Sequence, residues 1–170
     1  MEGRYTKWDM RYLWLASVVS KWSKDPDKKV GAVITDERYV RGLGYNGLPR
    51  GIADSAERLQ QKDTKLDLTI HAEENALFAS DNKGTCIYTF PCLPCMRCFA
   101  KLCQTNIRRV VSIEPSSLSS WQPSKVLELM QEANFIVQLY KEEDLLDYAM
   151  FTLCYDYDSL KSPGGFCVQS

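Results

Sequence analysis

The sequence predicts an α/β fold, a three-layer α/β/α sandwich around a central mixed sheet of five strands. The 170-residue chain is 45% hydrophobic, which is enough for one core but not for two. Its second half alternates short strand-like segments with longer segments of helical periodicity. An initial pair of strand-like segments is joined by only three residues, which favours a hairpin. A hairpin followed by alternating strands and helices implies a mixed sheet with helices on both faces.

The first half of the chain contains a helix, the hairpin and a long irregular segment. The helix is predicted over about Lys7 to Trp22, with Asp9 where a capping box places an acid. The hairpin strands are predicted at 30–35 and 39–45. Residues 46–68 contain Gly, Pro, Asp and Lys without sustained periodicity, which predicts a loop that acts as a lid or as a wall of the site.

Strands and helices alternate through the second half. The predicted elements, in chain order, are a helix at about 71–80, a strand at 85–90, a helix at about 94–103, a strand at 108–113, a helix near 124–133, a strand at 135–139 and a helix near 142–155. We therefore expect a single domain over residues 1–155. The remaining residues, 156–170, are expected to form a loosely ordered tail.

Composition limits the classes of partner. The net charge is −1, so the chain lacks the surplus of Lys and Arg that binding to a long polynucleotide usually needs. No apolar run approaches the roughly 18 residues that span a bilayer, and the first residues lack the apolar core of a signal peptide. The expectation is a soluble, cytoplasmic protein that does not bind membranes.

The cysteines indicate metal or thiol chemistry. Seven is an odd number for a disulfide framework, and three of them lie in the segment "CLPCMRC", residues 92–98. Three others, Cys86, Cys103 and Cys154, are expected to be small core residues. The only histidine, His71, lies at a predicted helix start in "TIHAEENALF".

The chemistry is predicted at two helix starts. His71 begins one helix, and Cys92 and Cys95 begin another, so an imidazole and two thiolates offer three zinc ligands and leave a fourth position for water. Glu73 is turned away from the direction of His71, which suits a catalytic proton carrier better than a ligand. Cys98 lies one helical turn beyond Cys95, and an alternative is that it completes a structural site with four ligands.

With Pro91, these residues form the signature H-x-E…P-C-x-x-C of zinc-dependent nucleobase deaminases. Over residues 8–115 the chain resembles the deoxycytidylate (dCMP) deaminase family of the cytidine deaminase superfamily. The resemblance lies in "SKDP" (23–26), "VGAVI" (30–34), "GYNGLPRG" (44–51), "DTK" (63–65), "HAEENA" (71–76) and "FPCLPC" (90–95). It implies a hydrolase that converts dCMP to dUMP and ammonia, with Zn²⁺ on His71, Cys92 and Cys95, Glu73 as the proton carrier, and dUMP supplied for thymidylate synthesis.

The resemblance also implies substrate-binding residues. Asn46 would hydrogen-bond the sugar, although Asn-Gly is equally typical of a turn. The backbone at Ala72 would lie against the base. Ser23 and Lys24 would meet the 5′-phosphate, unless they only end the first helix.

Regulation is a further implication of the resemblance. Members of the family form hexamers that are regulated by dCTP and dTTP, with Mg²⁺ accompanying the bound triphosphate. The implied effector site includes Gly47 and Arg50, although Arg50 is equally compatible with a solvated loop residue. A structural zinc site that uses additional histidines is excluded, because His71 is the only histidine.

Two other functions remain open at this stage. A deaminase acting on tRNA or single-stranded DNA would share the zinc chemistry but needs a basic or aromatic channel for flanking nucleotides. A non-catalytic protein could instead use zinc only to hold two helices together. Glu73 and the free fourth position argue against the second alternative. Trp121 either covers the pocket or packs at a helix entry.

Overall fold

The computed structural model of the chain describes residues 7–115 and 123–160, and only the backbone of residues 153–160. Its strands are β1 Gly31–Asp36, β2 Tyr39–Tyr45, β3 Cys86–Phe90, β4 Arg109–Ile113 and β5 Ile136–Tyr140. Its helices are α1 Lys7–Ser20, α2 Ala56–Gln60, α3 Lys62–Leu68, α4 Ala72–Ala79, α5 Met96–Leu102, α6 Pro123–Glu132 and α7 Glu142–Leu160.

The five strands form one mixed sheet in the order β2-β1-β3-β4-β5. β1 is antiparallel to both β2 and β3, whereas β3, β4 and β5 are parallel. In this register Gly31 pairs with both Tyr45 and Phe90. The end of β2, the start of β1 and the end of β3 therefore meet at one edge of the sheet. The predicted mixed five-stranded sheet is confirmed.

The sheet has a hydrophobic core on each face. Residues alternate between the faces along a strand, so Ala32 and Ile34 pack toward α4 and α5 while Val33 packs toward α1. The core on the α4 side also includes the buried Met130 of α6. The core on the α1 side includes the buried Leu145 of α7. Helices thus cover both faces, which confirms the predicted three-layer sandwich.

One side chain of α1 ties the helix to the sheet. Asp9 is 2% exposed and accepts two hydrogen bonds of 2.7 Å from the guanidinium of Arg109 at the start of β4. The hydroxyls of Tyr88 and Tyr140 also donate to its carboxylate, at 3.1 and 2.7 Å. The sequence placed Asp9 in a capping box, but the structure makes it a buried ion-pair partner. Residues 100 positions apart are thereby joined.

Several element boundaries differ from the sequence prediction. Residues 46–68 contain the short helices α2 and α3 rather than a continuous loop, and Ser55 caps α2 by accepting a hydrogen bond from the backbone of Arg58. α1 ends at Ser20, two residues early. α7 continues to Leu160, so the start of the predicted tail is helical. Residues 161–170 lie outside the described residues.

Of the three cysteines predicted to be core residues, Cys86 and Cys103 have described side chains. Cys86 is buried and Cys103 is half-buried against the core on the α4 side, as predicted for small core residues. The side chain of Cys154 and the whole of Trp121 lie outside the described residues.

Among the described helices, none is both long enough and apolar enough to cross a membrane.

The buried Asp9–Arg109 pair should matter for stability. We expect Asp9→Asn to lower the free energy of unfolding by about 3 kcal/mol, because the substitution leaves the Arg109 charge without its partner in a partly buried position. The matched control is Asp36→Asn, which breaks the exposed pair with Arg41 and should cost less than about 1 kcal/mol. Urea denaturation of both variants measures the difference, and equal losses would contradict the assigned role of Asp9.

Candidate metal and active site

The first part of the site is the start of α4. His71 is the N-cap residue in extended conformation, and its backbone N–H donates to the carboxylate of Glu74 at 2.8 Å. Glu74 is 4% exposed and also forms ion pairs with Arg97 and Lys101 of α5. This carboxylate therefore holds the starts of α4 and α5 side by side.

The second part is the start of α5. Cys95 is the N-cap residue of this helix, and Cys98 lies three residues later in its first turn. Their sulfur atoms lie 3.4 and 3.3 Å from Nδ1 of His71. The three ligand atoms all lie within 4.8 Å of one another. Tetrahedral zinc with ordinary bond lengths needs a nitrogen-to-sulfur separation of about 3.6 Å, so this donor set fits one zinc ion.

The electrostatics of the cluster favour a metal cation. The Cys98 thiol hydrogen-bonds the Cys95 sulfur and, against the effect of burial, helps to lower the pKa of Cys95 to about 3. The same hydrogen bond, together with burial, raises the pKa of Cys98. The hydrogen bond to Cys95 likewise raises the pKa of His71. The cluster thus contains a thiolate and two groups that would release protons when a metal binds.

Glu73 lies beside the cluster but outside it. It is the second residue of α4, and it is only 4% exposed. Burial raises the pKa of its carboxyl, which brings the group closer to the range in which it can both accept and donate a proton near neutral pH. Its role as the proton carrier stays a prediction.

The structure places Cys98, and not Cys92, in the cluster with His71 and Cys95. Among the described residues, the group with metal-binding geometry consists of these three. The physical reason is the helix start: Cys95 and Cys98 are one turn apart on the same side of α5, whereas Cys92 lies in the extended segment before the helix. The sequence did contain a signal, because Pro94-Cys95-Met96-Arg97-Cys98 is a second P-C-x-x-C that overlaps the first.

A cavity of about 300 Å³ opens over this cluster. The paired ends of β1, β2 and β3 bring its walls together at one edge of the sheet. Its lining consists of Asp25, Lys28, Val30, Asn46, Lys65, Leu66, Thr69, His71, Ala72, Glu73, Cys92, Leu93 and Cys95. The volume is at the lower end of the range for small-molecule sites.

Two of the predicted substrate-binding residues line the cavity. Asn46 is buried, and its side chain bridges the opposite wall: Oδ1 accepts from the Val30 N–H and Nδ2 donates to the Lys28 carbonyl, each at 2.8 Å. The contact of Asn46 with a sugar stays a prediction. Ala72 is fully buried, and β2 passes so close that a side chain on Gly44 would meet its carbonyl oxygen at 2.2 Å.

Four other predicted residues lie elsewhere. Ser23 is buried, and its hydroxyl donates to the Asn46 carbonyl at 2.8 Å. It therefore holds Asn46 in position without lining the cavity itself. Lys24 is exposed and pairs with Asp54 at 2.7 Å, away from the cavity lining. The predicted effector residues Gly47 and Arg50 line a second, separate cavity of about 560 Å³.

Comparison with known proteins identifies the family of the chain. The family model for the cytidine and deoxycytidylate deaminase zinc-binding region matches residues 6–114. The chain belongs to this family. An uncharacterized deaminase encoded in the luxG 3′ region of Aliivibrio fischeri is 41% identical over 119 residues, which cover 68% of this chain and 80% of that relative.

Relatives with an assigned activity are more distant. The human deoxycytidylate deaminase is 33% identical over 116 residues, which cover 63% of this chain and 65% of the human protein. Among solved structures, the dCMP deaminase of the cyanophage S-TIM5 in complex with dCMP and dUMP matches 81% of this chain and the whole of that chain, with a TM-score of 0.67 and 18% identity. This structural similarity confirms the cytidine deaminase-like fold.

The two overlapping motifs can be separated by metal analysis. We expect Cys98→Ala to lose stoichiometric zinc, because it removes one of the three atoms that converge on one point. The matched control, Cys92→Ala, removes a neighbouring thiol outside the cluster and should retain the metal. Atomic absorption on the purified proteins gives the zinc content. Loss from Cys92→Ala with retention in Cys98→Ala would restore the ligand set that the first motif predicts.

Proposed function

We propose that the chain catalyses the zinc-dependent hydrolytic deamination of dCMP to dUMP and ammonia. The observation that carries this proposal is the convergence of His71, Cys95 and Cys98 on one point, with His71, Cys95 and the buried Glu73 lining one cavity. Family membership supports the reaction class. The name of the human relative supports dCMP as the substrate.

The residues of the chain have separate tasks in this reaction. Zinc held by His71 and Cys95, together with either Cys92, as the sequence motif predicts, or Cys98, as the cluster suggests, would supply a water molecule whose pKa is lowered toward about 7. Glu73 accepts a proton from that water and donates it to ring nitrogen 3 of cytosine while the remaining hydroxide adds to carbon 4. It then takes the proton of the new hydroxyl and gives it to the amino group, which leaves carbon 4 as ammonia. The backbone of Ala72 lies against the base, and Asn46 fixes the wall beside the sugar.

A single nucleotide suits the cavity better than a polynucleotide. Only two of the lining residues, Lys28 and Lys65, are basic, and Lys65 is already paired with Asp25 and Asp27. Binding along a strand requires an extended basic groove with aromatic residues for stacking, and no aromatic side chain lines this cavity among the described residues. A non-catalytic zinc site would give the buried Glu73 no task.

We propose dCTP and dTTP, accompanied by Mg²⁺, as effectors that bind in the second cavity. The support is its position: Gly47 and Arg50 line it together with Asn75 and Phe78 of α4, the helix that begins at His71. An occupant of this cavity would therefore contact the helix that carries the metal ligand. Hexamer formation and the supply of dUMP for thymidylate synthesis belong to the same proposal.

Ammonia release tests the reaction. The zinc-loaded protein is incubated with dCMP, deoxycytidine, dCTP and a cytosine-containing oligonucleotide, and we expect dCMP to be deaminated most efficiently. Glu73→Gln should bind zinc normally but turn over dCMP at least about 100-fold more slowly, because the proton carrier is lost. Near-normal turnover by that variant, or a preference for the oligonucleotide that falls steeply with salt, would contradict the proposal.

Effector regulation requires a separate measurement. We expect the dependence of turnover on dCMP concentration to change when dCTP or dTTP is added with Mg²⁺, and Arg50→Gln to abolish that response. Arg41→Gln is the matched control, because Arg41 is exposed and pairs with Asp36 outside the second cavity. A hyperbolic curve that neither nucleotide alters would refute this part.

A further inference from the structure

The cavity over the cluster contains two lysines in different electrostatic states. Lys65 of α3 is 5% exposed, and its ammonium pairs with Asp25 at 3.2 Å and also with Asp27. Two carboxylates therefore surround one ammonium. The Lys65 ammonium thus joins α3 to the segment that precedes β1. Because both carboxylates neutralise it, its positive charge is not available to a ligand.

Asp25, which lines the cavity, accepts several hydrogen bonds. The Asp25 carboxylate accepts the backbone N–H groups of Asp27 and Lys28, at 2.8 and 3.2 Å, in addition to the Lys65 ammonium. Burial acts to raise the pKa of Asp25, but these donors outweigh it and hold the pKa below its usual value. Asp25 thus remains ionised and is directed to Lys65, away from the second lysine.

Lys28 has an anchored backbone, and its ammonium hydrogen-bonds the Cys92 sulfur rather than a carboxylate. Its N–H donates to Asp25 and its carbonyl accepts from Asn46, so both sides of the residue are anchored to the cavity wall. Among the described side chains, those of residues 7–115 and 123–152, no carboxylate lies within 4.0 Å of its ammonium. The side chain reaches toward the thiol of Cys92, whose pKa burial raises and the nearby ammonium partly lowers.

The residues that the sequence suggested for phosphate binding are not suited to it. The Ser23 hydroxyl is committed to the Asn46 carbonyl, and the Lys24 ammonium is paired with Asp54 outside the cavity. An anionic group on a ligand in the cavity therefore meets one unpaired cation, Lys28. A lysine on a flexible stem can turn from a neutral thiol to a phosphate, with which it forms a charge-assisted hydrogen bond.

We propose that Lys28 binds the 5′-phosphate of the nucleotide and makes the site selective for a nucleoside monophosphate over the nucleoside. The proposal rests on the proposed function, because it takes the cavity over the cluster as the substrate site. Lys28 acts in binding and not in the chemical step. Its loss should raise KM for the phosphorylated substrate and leave kcat for that substrate nearly unchanged.

The decisive variant is Lys28→Gln, which removes the charge and keeps a polar side chain one atom shorter. We expect the ratio of kcat/KM for dCMP to kcat/KM for deoxycytidine to fall by about 10- to 100-fold, the loss expected for one charged hydrogen bond. Lys28→Arg should restore most of the ratio. The matched control is Lys29→Gln, an exposed neighbour that does not line the cavity and should leave the ratio as in the wild-type protein.

Inorganic phosphate gives a second readout. We expect it to compete with dCMP in the wild-type protein and to compete much less in Lys28→Gln. The inference is overturned if Lys28→Gln changes the kcat/KM of both substrates equally, since Lys28 would then contact the base or sugar, or if Lys29→Gln has the same effect as Lys28→Gln. Zinc content equal to that of the wild-type protein confirms that the variant retains its fold.

Calorimetric titration with dCMP separates this inference from the proposed function. A wild-type protein that binds dCMP through Lys28 but releases no ammonia from any substrate would refute the proposed function and support the inference. If the wild-type protein deaminates dCMP with the same KM as Lys28→Gln, the proposed function is supported and the role of Lys28 is refuted. Failure of the zinc-loaded protein to bind dCMP would overturn both.

Discussion

The metal site depends on the buried carboxylate of Glu74, which joins the starts of two helices. It accepts the backbone N–H of His71 and pairs with two basic side chains of α5, Arg97 and Lys101. A buried carboxylate is costly unless it is fully paired, and here every partner lies at the α4–α5 contact. The imidazole of His71 is consequently fixed relative to the sulfurs of α5 by protein contacts, so the geometry does not have to be created by the metal.

The direction of β1 determines where the walls of the cavity meet. Because β1 runs antiparallel to both of its neighbours, its first residue pairs with the last residues of β2 and β3. Asn46, Lys28 and the segment before Cys95 consequently approach one another, although they are far apart in sequence. If β1 were parallel to β3, its start would lie at the opposite edge of the sheet. The hairpin at the beginning of the sheet is therefore a requirement of the site as well as of the core.

Periodicity predicted the fold well because each helix and strand carries its own pattern. The sandwich, all five strands and the helix starts at His71 and near Cys95 follow from local sequence. Local sequence could not choose between two overlapping P-C-x-x-C motifs, since that choice depends on which cysteine begins α5. It also could not show that Asp9 pairs with a residue 100 positions away or that Lys24 points out of the cavity. These contacts are set by packing between distant segments.

The wall formed by α2 and α3 differs physically from the floor of the cavity. α2 contains five residues, none of them buried, and α3 contains seven, of which only Lys65 is buried. Helices of this length are not stable alone, and the ion pairs of Lys65 with Asp25 and Asp27 join α3 to the segment before β1. His71, Cys95 and Cys98, by contrast, lie at the starts of α4 and α5, which pack on the core of the sheet. Because the wall buries few side chains, its local opening is expected to cost less than opening at the floor.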